Sequence, residues 1–190
     1  MTYKQVKKSI DSGYLELNKN DSVDHYKFPL YTLLFPILFI IIGLITGNHF
    51  PVDKLGFIVL MGIPAFISLL SYLILKRKLK LKKYVTTLSK QELDSIIKSL
   101  AFEMGWVVKR DNKKFFMAEG GRKPNLLLRM TSSGSRITII FRNNAVYVNS
   151  VCIPSFNTIQ LTSFGINKKY VKALFDRIKS QDPLSYRCKE

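Results

Sequence analysis

"LILKRKLKLKKY" occupies residues 73–84, and its reading decides the architecture. An apolar run stops at Leu75, and seven basic residues without one acid follow between Lys76 and Lys90. Such a stretch can be a nucleic-acid patch, a solvated helix face, or the point where a chain leaves a bilayer. The residues upstream of it favour the bilayer.

Phe28 to Val52 reads "FPLYTLLFPILFIIIGLITGNHFPV", and Leu55 to Leu75 reads "LGFIVLMGIPAFISLLSYLIL"; neither contains Asp, Glu, Lys or Arg. A hydrocarbon core about 30 Å thick needs about 20 helical residues. Both runs reach that length, and buried helices of soluble proteins rarely stay charge-free on every face for so long. The spacing predicts two spans, about 28–48 and 55–75. The first run follows a polar segment that contains acids and lacks a small-residue cleavage site. It is therefore expected to persist in the mature chain rather than act as a signal peptide.

Pro36 and Pro64 lie inside the two runs and each removes one helical hydrogen bond, which predicts a local bend more readily than a gate. Gly43, Gly47, Gly56, Gly62, Ala65 and Ser68 would let the two helices approach closely. The connection "NHFPVDK" (48–54) is short, so the spans should form an antiparallel hairpin. Cytoplasmic flanks of membrane helices are enriched in Lys and Arg. The connection holds one Lys, while the flanks hold five and seven basic residues. Both termini are thus expected in the cytoplasm, at the inner (plasma) membrane of a bacterial cell.

Charge is partitioned along the chain in the same way. The formal net charge is +17 although 47% of residues are hydrophobic. Residues 1–27 carry five Lys and four acids, and residues 28–75 carry one Asp and one Lys. Residues 91–190 carry seventeen basic residues against eight acids. The domains read as a cytoplasmic tail (1–27), a hairpin (28–75), a polybasic linker (76–88), a basic α+β domain (89–180) and a C-terminal tail (181–190). Lys76, Arg77, Lys78, Lys80, Lys82 and Lys83 are expected to touch anionic headgroups. Each would contribute about 1 kcal/mol before screening. Leu79, Leu81 and Tyr84 interleave with them and would dip into the interface.

The fold class expected is therefore a transmembrane helical hairpin followed by helix, about five antiparallel strands, and helix. In "SKQELDSIIKSLAFEMG", Leu93, Ile96, Ile97, Leu100, Ala101 and Met104 share one helical face. Ser89 and Glu92 form a capping-box pattern, and Gly105 suits the position after the helix. "WVVKR" and "KKFFMAE" flank Asp111-Asn112, a two-residue turn candidate. "NLLLRMT" (125–131) alternates as a third strand. "RITIIFR" and "AVYVNSV" flank Asn143-Asn144, residues that tolerate a left-handed backbone. Val171, Leu174, Phe175 and Ile178 mark a last helix with Asn167 as its N-cap, and both helices are expected on one sheet face.

Chemistry is sparse. The only histidines, His25 and His49, lie outside the folded domain. Cys152 and Cys188 cannot make a disulfide framework and read as free thiols in a reducing compartment. "EGGRKP" (119–124) sets glycines beside basic residues but opens a strand, so it reads as a turn. The helix ending in "EMGW", followed by a hairpin and an apolar strand, resembles the opening of restriction-endonuclease-like nuclease domains. That resemblance implies an Asp and a Glu-x-Lys around a metal. Here "LLLRMT" (126–131) supplies no acid, so the ligand set is incomplete and no family is assigned.

No catalytic residue, cofactor or metal is therefore expected. The function expected is a non-enzymatic, membrane-anchored interaction or sensing module, with an unidentified protein partner and room for self-association. One alternative is a sensor-effector whose domain binds a small anionic ligand such as a nucleotide, through Arg136 and Arg142. Another is a membrane-tethered nucleic-acid binder, in which Lys109, Lys113 and Lys114 mix with Trp106, Phe115, Phe116 and Tyr147 as single-strand binders mix charge and rings. Nucleic acid ranks below anionic lipid. A third is an enzyme built from side chains without a recognisable signature.

Overall fold

The computed structural model describes residues 1–46, 54–120, 134–152 and 166–182. Among them the chain forms five helices and five strands, and it divides into two compact units. One comprises Met1–Leu17 with Leu79–Glu190, the other Asn18–Lys78.

The second unit is a pair of long helices, α2 (Lys19–Ile45) and α3 (Lys54–Lys78). Asn18 caps α2 by accepting from the Asp21 N–H at 2.8 Å. The pair runs antiparallel, since residues advancing along α2 meet residues receding along α3. His25 Nε2 lies 3.1 Å from the Leu75 carbonyl, Tyr26 packs against Tyr72, and the Ser68 hydroxyl donates to the Pro29 carbonyl at 2.8 Å. The buried seam is made of small or compact residues, among them Pro29, Pro36, Gly43, Ser68 and Ser71. Small residues let helix backbones approach and polar ones bond across the gap. The connecting segment 48–53 and Gly47 lie outside the described residues.

The first unit is built on a five-stranded antiparallel sheet: β1 (Lys82–Val85), β2 (Val107–Asn112), β3 (Phe115–Gly120), β4 (Ser135–Arg142) and β5 (Ala145–Cys152), in the order β1-β5-β4-β3-β2. Four strands follow the expected meander. The fifth comes from the polybasic segment, which was expected to be a linker. The stretch 125–131, expected as a strand, lies outside the described residues.

Helices α4 (Lys90–Glu103) and α5 (Ile166–Gln181) supply the main core together with one sheet face. Leu93, Ile96, Ile97 and Leu100 of α4, with Tyr170, Val171, Leu174 and Ile178 of α5, pack on Phe116, Ala118, Ile137, Ile139, Val146 and Val148. The α4 capping box forms as its sequence implies: the Glu92 N–H donates to Ser89 Oγ and the Ser89 N–H to Glu92 Oε2. Gly105 ends the helix in the left-handed region at φ 63°. Asn143 likewise takes φ 48° in the β4–β5 turn.

Two local expectations need correction. The β2–β3 turn is Lys113-Lys114, because a register shift between Val108 and Arg110 carries β2 on through Asp111 and Asn112, which pair with Phe116 and Phe115. Asn167 is not a cap: it lies inside α5, where its Oδ1 accepts from the Ser150 hydroxyl at 3.0 Å and pins the helix start to β5.

The opposite sheet face is also covered. Ile140 and Thr138 are buried on it, as are Phe115 and Val151. The buried side chains beyond the main cluster include Val6, Leu15, Leu79 and Leu81. These belong to the N-terminal segment and to the strand-like run before β1. A helix, α1 (Tyr3–Ser12), begins with a full capping box from Thr2 and Gln5 and ends at Gly13, φ 71°. The chain then pairs with the polybasic segment. The Leu15 N–H donates to the Leu79 carbonyl and the Leu81 N–H to the Gly13 carbonyl, both at 2.8 Å. Residues 1–17, expected as part of a tail, thus belong to the folded unit, while residues 19–27 extend α2.

Candidate functional site

The six basic residues of the opening stretch fall on three different supports. Lys76, Arg77 and Lys78 occupy the last turn of α3. Cations there meet the partial negative charge of the helix end, a gain of about 0.3–1 kcal/mol each. Lys80 holds an isolated bridge with Tyr14, and its carbonyl accepts from Asn149 Nδ2 at 3.0 Å. Lys82 and Lys83 sit on β1, paired with Val148 and Tyr147, at the outer edge of the sheet. All but Lys78 are exposed. Lysine on an edge strand also discourages another strand from adding to it.

Leu79 and Leu81, expected to dip into a lipid interface, are only 6% and 8% exposed. Tyr84 is half-buried and stacks on Phe175 with ring centroids 5.5 Å apart. Burial pushes its phenol above the usual tyrosine value, and the charge of Asp182 adds to the shift. Asp182, itself buried, accepts from the Thr87 hydroxyl at 2.8 Å and ties the end of α5 to the residues after β1. Leu79, Leu81 and, in part, Tyr84 therefore serve the protein interior.

Arg136 and Arg142 do not converge. They lie six positions apart on β4, roughly 20 Å at about 3.3 Å per residue, too far to grip one small anion. Each also has an acidic neighbour. Arg136 Nη2 is 3.5 Å from Glu119, which Lys109 approaches at 3.5 Å from its other side. Arg142 Nη1 is 3.4 Å from Asp11 on α1. The two arginines act as ties, one across the sheet and one to the N-terminal helix.

Of the aromatic residues mixed with these charges, Trp106, Phe115 and Phe116 are buried, so their faces are not open to stack on bases. Lys114 is held over the Tyr3 ring at 3.8 Å. Lys98 joins Asp94 and Asp111, each at 2.9 Å, and these partners raise its ammonium above the ordinary lysine value. Among the described residues no three His, Cys, Asp or Glu side chains gather as they would around a metal ion. His49, Cys188 and residues 121–124 of "EGGRKP" lie outside the described residues.

One feature escaped the sequence reading: the N-terminal segment, whose signal was present as Thr2-x-x-Gln5, the same capping-box spacing recognised at Ser89. The basic residues of α5, legible in the sequence as lying largely outside its apolar face, include Lys168, Lys172 and Lys179 on one exposed stripe. Compared with known proteins, the chain matches no family model and no curated sequence.

By length and composition, α2 and α3 can each cross a membrane: mean hydropathy reaches 2.5 in an 18-residue window within Lys19–Ile45 and 1.9 in one within Val59–Lys78. Only 17% of each apolar window is buried. Phe35, Leu44, Ile45 and Phe66 are each more than 60% exposed.

Proposed function

We propose that the chain is an integral membrane protein of two spans, with both termini in the cytoplasm and a folded basic unit held at the inner leaflet. Its role is that of a non-enzymatic interaction or sensing module, and Lys76, Arg77, Lys78, Lys80, Lys82 and Lys83 meet anionic headgroups. The observation that carries this reading is the outward apolar surface of α2 and α3. A helix in a soluble core buries most of its apolar window, whereas these bury 17%. Monomeric soluble proteins rarely expose contiguous apolar patches beyond a few hundred Å², and lipid is the solvent that removes the cost. The polar seam fits the same solvent, because the Ser68 hydroxyl finds its partner on the other helix rather than in water. The orientation rests on the basic flanks and the near-neutral connection.

The sensor-effector alternative loses support, since Arg136 and Arg142 are each paired and about 20 Å apart. The nucleic-acid alternative loses three of its four stacking rings, Trp106, Phe115 and Phe116, to the interior.

Orientation is tested with a single reactive thiol. Lys90→Cys, at the exposed start of α4, is introduced with both native cysteines changed to Ser. It should resist a membrane-impermeant maleimide in intact cells and react after permeabilisation. Labelling in intact cells would invert the topology.

A further inference from the structure

We propose that the flank of the folded unit formed by α5 and the edge strand β1 is a docking surface for an anionic lipid leaflet; this rests on the membrane reading above. Two contacts fix the rotation of α5. On one side Phe175 stacks on Tyr84 of β1. On the other, Arg177 pairs with Glu103 of α4. Tyr170, Val171, Leu174 and Ile178 point into the core between them. At about 100° per residue, Lys168, Lys172 and Lys179 fall within roughly 40° of one another, just outward of Phe175 and away from α4.

All three lysines are exposed. They span roughly 16 Å of helix at 1.5 Å per residue. Lys82 extends the strip onto β1, since it lies two residues before Tyr84 on the same face of the strand. Asp176, the one acid of α5, lies one helical turn from both Lys172 and Lys179 and offsets one charge of the strip, while Lys169 adds one beside it. By contrast α4 carries Glu92, Asp94 and Glu103 against Lys90 and Lys98. Of the two helices on this sheet face α5 is therefore the basic one, and it lies on the β1 side.

The occupant is a lipid leaflet for two reasons. A linear strip of flexible ammonium groups suits a plane of headgroups, whereas Trp106, Phe115 and Phe116, three of the four rings mixed with the basic residues of the sheet, are buried and closed to bases. The chain also delivers this edge to the bilayer: only Leu79, Lys80 and Leu81 separate α3 from β1. Residues reach at most about 3.6 Å each, which tethers Lys82 within roughly 14 Å of the helix end. Each lysine near an anionic leaflet shifts the docking equilibrium by roughly fivefold before screening.

The test uses the full chain in nanodiscs of phosphatidylcholine alone or mixed with phosphatidylglycerol. Lysine acylation is followed by mass spectrometry. The expected result is several-fold slower labelling of Lys82, Lys168, Lys172 and Lys179 in the anionic discs. Lys113, on the opposite edge of the sheet, should label equally in both. In a Lys168→Gln, Lys172→Gln, Lys179→Gln variant, the protection of Lys82 should fall towards its value in neutral discs. Equal labelling in both discs would overturn the docking surface, as would protection of Lys113 to the same degree. So would protection by a single-stranded oligonucleotide but not by phosphatidylglycerol. A chain that fails to enter either disc would overturn the membrane reading itself, a result distinguishable from these.

Discussion

Glu92 stands at the third residue of α4, where its carboxylate accepts the Ser89 backbone N–H at 2.7 Å. Hydrogen bonding with Ser89, through side chain and backbone, holds its carboxyl below the ordinary glutamate value. A carboxyl whose folded value is depressed stabilises the fold above its unfolded value. That contribution is lost as pH falls through the folded value. The stability difference between the native chain and Glu92→Gln should therefore shrink on acidification through that range, read from melting midpoints against pH. A constant difference would detach Glu92 from the cap. Gly120 makes a second claim at this scale. A Cβ there would lie 2.6 Å from Trp106 Cδ1, so the indole must shift to admit it. Gly120→Ala should cost about 1–3 kcal/mol, measured by denaturant titration. Capping residues such as Ser89 and Glu92 were legible because their spacing is local. Lys113-Lys114 was not legible as a turn, because Asp111-Asn112 has the better turn chemistry and only pairing with β3 shows that the strand runs past it.

The elements show the same division between local and long-range information. Helix α4 and the β4–β5 hairpin carry their signals within one window, and both form as read. Strand β1 does not, since four residues with two lysines look like a solvated linker until β5 supplies a partner. Helix α1 has a legible cap, but its short apolar face, Val6 and the nearby Leu15, becomes meaningful only once the segment pairs with the polybasic run and is buried in the folded unit. That arrangement makes the N-terminal segment part of the fold. Leu15→Ala and Ile140→Ala, both at buried sites, should each destabilise the folded unit by about 2–5 kcal/mol and lower the same cooperative transition in detergent. An unchanged midpoint for Leu15→Ala would return residues 1–17 to the status of a tail.

At the scale of the whole molecule, composition was the most informative property. Charge and hydrophobicity occupy different segments, and the nearly uncharged segment contributes the apolar lengths of two helices, many of whose side chains are exposed. The candidate lipid contacts were legible as charges but not as geometry. The sequence places six of them in one run, whereas the fold distributes that run over a helix end, a bridge and an edge strand. The lysines of α5 are remote in sequence from that run, and only the Tyr84–Phe175 stack reveals that they flank the same strand.

The central claim is that the apolar stretches of α2 and α3 cross a bilayer, and alkaline carbonate extraction of membranes from cells expressing the full chain tests it most directly. Carbonate strips proteins held by charge or by protein partners and leaves those embedded in lipid. The chain should remain entirely with the membrane pellet, also when Lys76, Arg77, Lys78, Lys80, Lys82 and Lys83 are all replaced by Gln, since the apolar helices and not the charges retain it. Release of the native chain into the supernatant would contradict the account and leave the apolar surface of α2 and α3 to be covered by protein instead of lipid.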